Sequence, residues 1–318
     1  MIVVLAGGVG AAKFLEGLAG VMPPDEITVI CNTGDDAEFH GLHVSPDIDT
    51  VLYTLAGIVD RERGWGIAGD TFACLESLAS RGEQTWFQLG DRDLATHLAR
   101  TEGLRQGATL SEVTEELRRS LGVACRILPM SDGCARTRLR TTAGWLAFQE
   151  YFVKLRHEPE VLEADFSAAA ACQPAPGVVE AIREAAGVIV APSNPILSIG
   201  PILAVAGIRE ALRETAAPVA AISPIVGGRA LKGPADRILA SLGFGSSAAA
   251  VAELYRDFLD VFVLDVADAD SLKAIEGGGI HAVATETVMN SPEAKQRLAR
   301  TVLLELVQEK QVLRFPQD

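Results

Sequence analysis

The stretch that most constrains the fold is the opening Met1–Phe14, MIVVLAGGVGAAKF. Ile2–Leu5 is a short, wholly apolar run, as expected of a strand buried on both faces. Gly7, Gly8 and Gly10 follow at once, and Ala11–Leu18 has helical character. A buried strand, a glycine turn and a helix N-terminus make a place to hold a phosphate: free backbone N–H groups converge there, and glycine admits close approach. Lys13, one turn into the helix, adds a formal positive charge. The spacing Gly8-x-Gly10-x-x-Lys13 puts lysine where a dinucleotide fold has its third glycine, and the Gly-Lys-Ser/Thr ending of a Walker loop is missing. A tight turn without a ligand explains the same glycines.

The partners are bounded by charge. A net charge of −14 argues against a general binder of nucleic acid or anionic membranes. An anionic small ligand stays open, because a few local cations or a metal reverse the field in one cleft. The five cysteines (Cys31, Cys74, Cys125, Cys134, Cys172) are scattered without a C-x-x-C, so a disulfide framework or zinc site is not expected, and a reducing cytoplasm fits. The first apolar run reads as a strand, so neither a signal peptide nor a membrane span is expected.

A second buried strand, Ile27–Cys31, runs into Asn32-Thr33-Gly34-Asp35-Asp36, the strand-end position where open α/β sheets bind ligands. Asp35 and Asp36 suit a sugar hydroxyl or a cation, or simply a solvated turn. His40 and His43 have metal-ligand spacing but no third ligand fixed nearby. Asp47 and Asp49 stand before a helical run, Thr50–Val59; they suit a Mg²⁺ ligand pair or a base for an attacking hydroxyl, or an N-cap.

From Thr50 to about Gly122 helical spacing takes over, at Thr50–Val59, Asp70–Arg81, Asp91–Thr101 and Leu110–Leu121. The pattern predicts a helical subdomain, 50–122, inserted in an α/β domain of residues 1–49 and 123–318. Its loops carry Trp65 between glycines and a Trp86-Phe87-Gln88-Leu89-Gly90-Asp91 run; a flat heterocycle stacks on such aromatics, though closing a helical core explains them as well. Asp91 reads equally as a helix cap. Cys125–Pro129, Thr137–Thr142 and Trp145–Val153 predict an antiparallel ribbon with turns at Ser131-Asp132-Gly133 and near Gly144. Beyond it helices (Val178–Ala186, Ile202–Arg213, Pro234–Leu242, Ala249–Leu259, Pro292–Glu309) alternate with strands at Val188–Ala191, Val219–Ile222, Val261–Leu264 and Ala282–Ala284. That alternation predicts an α/β, doubly wound, mostly parallel sheet. Ser193 and Asn194 offer hydrogen bonds at a strand end, and Arg229 and Lys232 sit in a glycine-rich loop suited to a second phosphate.

Taken together, Gly7–Lys13, Asn32–Asp36, Pro46-Asp-Ile-Asp-Thr50, Leu89-Gly-Asp-Arg-Asp-Leu-Ala-Thr-His97, Pro129-Met-Ser-Asp132, Pro192-Ser-Asn-Pro195, Ser198-Ile-Gly-Pro201 and Gly233-Pro-Ala-Asp236 resemble the 2-phospho-L-lactate transferase family, in order over essentially the whole chain. The resemblance implies a Rossmann-like fold and a Mg²⁺-dependent transferase of coenzyme F-420 biosynthesis. Such an enzyme moves a phospholactyl, phosphoenolpyruvyl or phosphoglyceryl group from a GDP-linked donor to the ribityl hydroxyl of the deazaflavin Fo and releases GMP. It implies a functional link to a guanylyltransferase, and a cytoplasmic homodimer is the expected state. On this reading Gly7, Gly8, Gly10, Lys13, Asn32, Ser193, Asn194, Arg229 and Lys232 hold the donor. Asp47 and Asp49 are catalytic; with Asp35 they are the metal candidates. Asp49, Gln88, Gly90, Asp91 and Trp65 face Fo. The chain departs from the pattern at Gln88, where some relatives have lysine, and Gly133–Arg138 matches no pattern. An NAD(P)-dependent dehydrogenase and a non-catalytic nucleotide sensor of the same fold are the competing readings.

Overall fold

In the computed structural model, which describes the backbone of residues 1–314 and side chains through Glu309, the apolar runs become seven strands of one parallel sheet. They are β1 (Ile2–Ala6), β2 (Ile27–Cys31), β3 (Arg126–Pro129), β4 (Gly187–Val190), β5 (Val219–Ile222), β6 (Val261–Asp265) and β7 (His281–Thr285). Their order is β3-β2-β1-β4-β5-β6-β7, every neighbouring pair parallel. In register, Val3 of β1 lies between Thr28 of β2 and Val188 of β4. Side chains alternate across the sheet, so Val3 and Leu5 enter one core layer while Val4 and Ala6 enter the other. Burial on both sides is why these strands read as unbroken apolar runs.

The chain leaves β1 toward β2 on one side, and β4 arrives on the other. This reversal of order opens a crevice at the carboxyl ends of β1 and β4, where α/β sheets take ligands. Helix α1 (Gly8–Ala19) packs between α2 (Pro46–Leu55) and the closing helix Pro292–Arg314. α3 (Ala73–Ala79), α4 (Asp93–Arg105) and α5 (Leu110–Ser120) follow, and α5 lies against β3. α5 begins at a capping box in which Thr109 and Glu112 satisfy each other's backbone N–H. Residues 50–122 contribute no strand to the central sheet.

Three local differences from the sequence reading have physical causes. α2 starts at Pro46, which suits a first helical turn, so Asp47 and Asp49 lie inside that turn rather than before it. The ribbon has three strands, Gly144–Ala147, Arg138–Thr141 and Val161–Asp165 in that order; the expected ribbon strand Cys125–Pro129 instead joins the central sheet as β3, buried and parallel to β2, and the expected strand to Val153 winds into a π-helical turn at Glu150–Lys154. Phe148 and Phe152, four residues apart, stack at 5.5 Å there, a helical rather than an alternating pairing. The helix expected over Ile202–Arg213 breaks at Gly207, whose φ is 89°. Among the described residues no single helix is long and apolar enough to cross a membrane.

Candidate active site at the β1–β4 crevice

Close packing of backbone explains the glycines first. Gly8 has a φ of 73°, open to glycine at no cost. A Cβ on Gly10 would stand 2.3 Å from Pro192 O, and one on Gly7 would stand 2.7 Å from Asp47 Oδ2. The β1–α1 turn therefore lies directly against the loop after β4 and the start of α2. Gly7 N–H donates to Ser193 Oγ at 3.3 Å, which ties the two strand-end loops together. Asn194 spends Oδ1 on Ile196 and Leu197 N–H, capping the turn that follows.

The acids converge on one side of this turn. Asn32 Nδ2 donates to Asp47 Oδ2 at 2.9 Å and to Asp35 Oδ1 at 3.3 Å, while its Oδ1 accepts from Gly34 N–H. Gly8 N–H also donates to Asp47, so the α1 N-terminus already faces a carboxylate. Burial pushes Asp47 up to about 7, against the hydrogen bonds from Asn32 and Gly8 that pull it down, with Asp36 adding repulsion. Asp35 goes well up, from burial and then the charges of Asp47 and Asp36. Asp36 also rises through burial, opposed by His43, and its Oδ2 takes His43 Nε2 and Ser45 Oγ, each at 2.9 Å. Asp36 Oδ1 is buried and unpartnered. A buried, mutually repelling set of carboxylates is what a cation would relieve.

The donor set fits Mg²⁺ in one respect that matters. Among the described residues no three or more His, Cys, Asp or Glu side chains are arranged to cage a metal. Mg²⁺ seldom uses such a cage: one or two carboxylates, with substrate phosphates and water, are its usual shell. Asp35 and Asp47, held by one amide, are the pair that would enter such a shell. His40 and His43 do not form a metal site, since His43 is bonded to Asp36 and His40 is exposed.

Asp49 is differently placed from Asp47. It pairs with Arg100 of α4, whose Nη1 donates to Asp49 Oδ2 at 3.1 Å and whose Nη2 donates to Oδ1. Arg100 is fully buried; burial alone would lower its pKa, but the charge and hydrogen bonds of Asp49 outweigh that and raise it. His97 stands 3.7 Å from Asp49 and 3.2 Å from Asp93, and Tyr53 O–H donates to Asp93 Oδ1 at 2.6 Å. Sequence reading missed Arg100, His97, Asp93 and Tyr53 as members of one network. The available signal was Asp93, His97 and Arg100 at i, i+4 and i+7, one face of a helix.

The remaining expected residues spread outward. Lys13 is half-buried; burial and then the charges of Lys232 and Lys295 lower its pKa, with Glu16 opposing them. Lys232 and Arg229 are exposed. Trp65 and Gly90 line one crevice with Asp70 and Asp93, and Arg63 lies over the Trp65 ring at 5.7 Å. Phe39 stacks on Phe87 at 4.0 Å with Trp86 edge-on, so this aromatic cluster is satisfied within itself; Gln88 beside it is exposed. Asp91 spends both oxygens on Thr71 Oγ1 and the N–H groups of Ala73 and Cys74, which makes it the cap of α3. Asp70 caps the start of α4 in return, accepting from Arg92 and Asp93 N–H. A cavity of about 410 Å³ lies elsewhere, among Tyr151, His157, Arg237 and Ser241, and contains none of the expected residues.

Comparison with known proteins bears on this crevice as a whole. A family model described as 2-phospho-L-lactate transferase CofD matches residues 2–303. The chain is 48% identical over 310 residues to the phosphoenolpyruvate transferase of Kitasatospora aureofaciens, covering 95% of this chain and 96% of that one. It is 40% identical over 301 residues to the 2-phospho-L-lactate transferase of Methanosarcina mazei, covering 95% and 99%. The crystal structure of a upf0052-family protein from Bacillus halodurans shares the fold with a TM-score of 0.63 at 16% identity, covering 95% and 98%. The glycine turn, the Asn32 loop, the first turn of α2 and the loop after β4 all fall within the matched residues, and the chain belongs to the 2-phospho-L-lactate transferase (CofD) family.

Proposed function

We propose that this chain transfers a phosphoenolpyruvyl group from a GDP-linked donor to the ribityl hydroxyl of Fo, with release of GMP, in coenzyme F-420 biosynthesis. The observation that carries the chemistry is the pair Asp35 and Asp47, buried and bridged by Asn32 beside the N-terminus of α1. The higher identity to the phosphoenolpyruvate transferase, 48% against 40%, favours the enolpyruvyl donor.

In the transfer, the Fo hydroxyl oxygen bonds to the phosphorus that carries the three-carbon acid. The bond from that phosphorus to the oxygen of GMP breaks, GMP takes the electron pair, and the hydroxyl proton is lost to water. The start of α1 receives the donor phosphates on backbone N–H groups, with Lys13, Lys232 and Arg229 supplying charge. Ser193, fixed by Gly7, sets the distance between the two strand-end loops. Asp49, its charge matched by Arg100, offers a rigid acceptor for an Fo hydroxyl, and Trp65 and Gly90 line a narrow cleft with Asp93. Held by Asp35 and Asp47, Mg²⁺ would neutralise the diphosphate and the charge developing on the leaving oxygen. Positioning and electrostatics then dominate, as phosphoryl chemistry allows.

The test is transfer followed by mass spectrometry. Purified protein is mixed with Fo, Mg²⁺, GTP and a guanylyltransferase, with phosphoenolpyruvate, 2-phospho-L-lactate or 3-phospho-D-glycerate in separate tubes. The expected result is an Fo adduct with phosphoenolpyruvate, abolished by EDTA and by Asp47→Ala. If donor forms and Fo returns unchanged in every tube, the reading fails. NADH and GDP binding would then separate a dehydrogenase from a sensor.

A further inference from the structure

Gly227-Gly228 joins two short antiparallel strands, Ile225–Val226 and Arg229–Ala230. Both glycines have positive φ, 58° and 75°, and their N–H groups point at one carboxylate. Gly227 N–H donates to Asp268 Oδ2 at 2.8 Å, and Gly228 N–H donates to Asp268 Oδ1 at 3.0 Å. Asp268 belongs to the segment Val266–Ser271 that follows β6.

The turn leads into an exposed strap, Leu231–Gly233, which ends at buried Pro234. The strap is thus tied at Asp268 on one side and at Pro234 on the other, with Lys232 between. Lys232 Nζ lies beside Gly64: a Cβ on that glycine would stand 3.2 Å from Nζ and 3.0 Å from Val9 Cγ1. Val9 is the second residue of α1, so the ammonium lies near the first turn of that helix. Glu16, the acid that acts on Lys13, is already bonded to Lys295 and Arg61. Lys13 and Lys232 therefore form a cationic pair whose neighbouring carboxylate is spent.

We propose that Asp268 is a positioning residue for the donor. By clasping the Gly227-Gly228 turn it holds Lys232 near the first turn of α1, where the ammonium meets the diphosphate of a GDP-linked donor; this rests on the function proposed above. A turn of two glycines is the part of a strap that loses most freedom on ordering. Two charge-assisted hydrogen bonds to one carboxylate fix it in advance, and a preorganised cation then binds without that ordering cost.

The experiment is GDP binding in Mg²⁺, measured by isothermal titration calorimetry on the full chain. Lys232→Ala and Asp268→Ala are each expected to raise the GDP Kd about two- to five-fold, the range for one partly exposed charge contact. Asp268→Asn keeps one acceptor oxygen and should fall between Asp268→Ala and the wild type. The double variant Lys232→Ala/Asp268→Ala should bind no more weakly than Lys232→Ala alone, because Asp268 acts through that lysine. A merely structural aspartate would give multiplying effects, and that result overturns the proposal. So does a normal Kd for Asp268→Ala beside a weakened Lys232→Ala. If Lys232→Ala itself binds GDP like the wild type, the placement of Lys232 on the donor fails, and the positioning role with it.

Discussion

Replacing Asp47 by asparagine should make the metal-free protein more stable at alkaline pH. Burial is the main reason that Asp47 stands at about 7 instead of 3.8, and repulsion by Asp36 adds to it. The unfolded chain releases this proton near the ordinary carboxylate value, while the folded protein keeps it until near neutrality. Between those two values the folded state binds the extra proton, so stability falls as pH rises, and above the folded value the whole cost is present. At about 1.4 kcal/mol per pH unit, that cost is on the order of 4 kcal/mol. Asparagine has nearly the same shape, but its NH₂ meets a donor where the carboxylate accepted, which costs about 1 kcal/mol. The net gain expected above about pH 8 is roughly 1–3 kcal/mol, and near pH 5 the two terms about cancel. Urea unfolding of wild type and Asp47→Asn at the two pH values reads this directly, with an unchanged m-value as the check that only stability moved. Adding Mg²⁺ should raise the midpoint of the wild type and leave the variant unmoved, by mass action on the folded state. A variant less stable than wild type at alkaline pH, or one with the same difference at both pH values, would refute the argument that burial and repulsion set this carboxyl.

Three other substitutions test the surrounding packing. Arg100→Met leaves Asp49 buried without its partner and should cost about 3–5 kcal/mol in urea unfolding, with much of the loss recovered by adding Asp49→Asn. Tyr53→Phe removes the hydroxyl that donates to Asp93 at 2.6 Å and should cost about 1.5–3 kcal/mol, the range for a hydrogen bond to a charged group. Gly10→Ala would place a Cβ 2.3 Å from Pro192 O, a backbone atom that cannot swing aside, so thermal melting should fall and GDP binding should weaken together; a variant with wild-type values for both would show that the β1–α1 turn is looser than drawn.

The sheet was legible because a parallel strand buried on both faces has no polar face to confuse the pattern. IVVL and ITVIC could hardly be anything else at their length and between their turns. The third ribbon strand, VLEAD, was not legible, since its charged positions look like any loop until Arg140 is seen across from Glu163. At the site, Gly7, Asn32 and Ser193 follow the ends of β1, β2 and β4, and topology alone brings such ends to one edge of the sheet. Arg100 stayed hidden for the opposite reason: an arginine on a helix of alternating character reads as solvated surface, and only its burial against Asp49 reveals it. The acids are the instructive case. Asp47 and Asp91 both sit near a turn and a helix start, and the sequence offers each a functional role or a helix cap. What separates them is how many fixed donors surround each carboxylate and how much water it has lost. Asp91 meets three donors at the surface, so its charge is satisfied and its pKa lies low. Asp47 meets Asn32 and Gly8 in a buried nest with two other acids, so its charge is left in deficit. A carboxylate in deficit wants a cation, and that distinction depends on three-dimensional crowding that no spacing in the chain records.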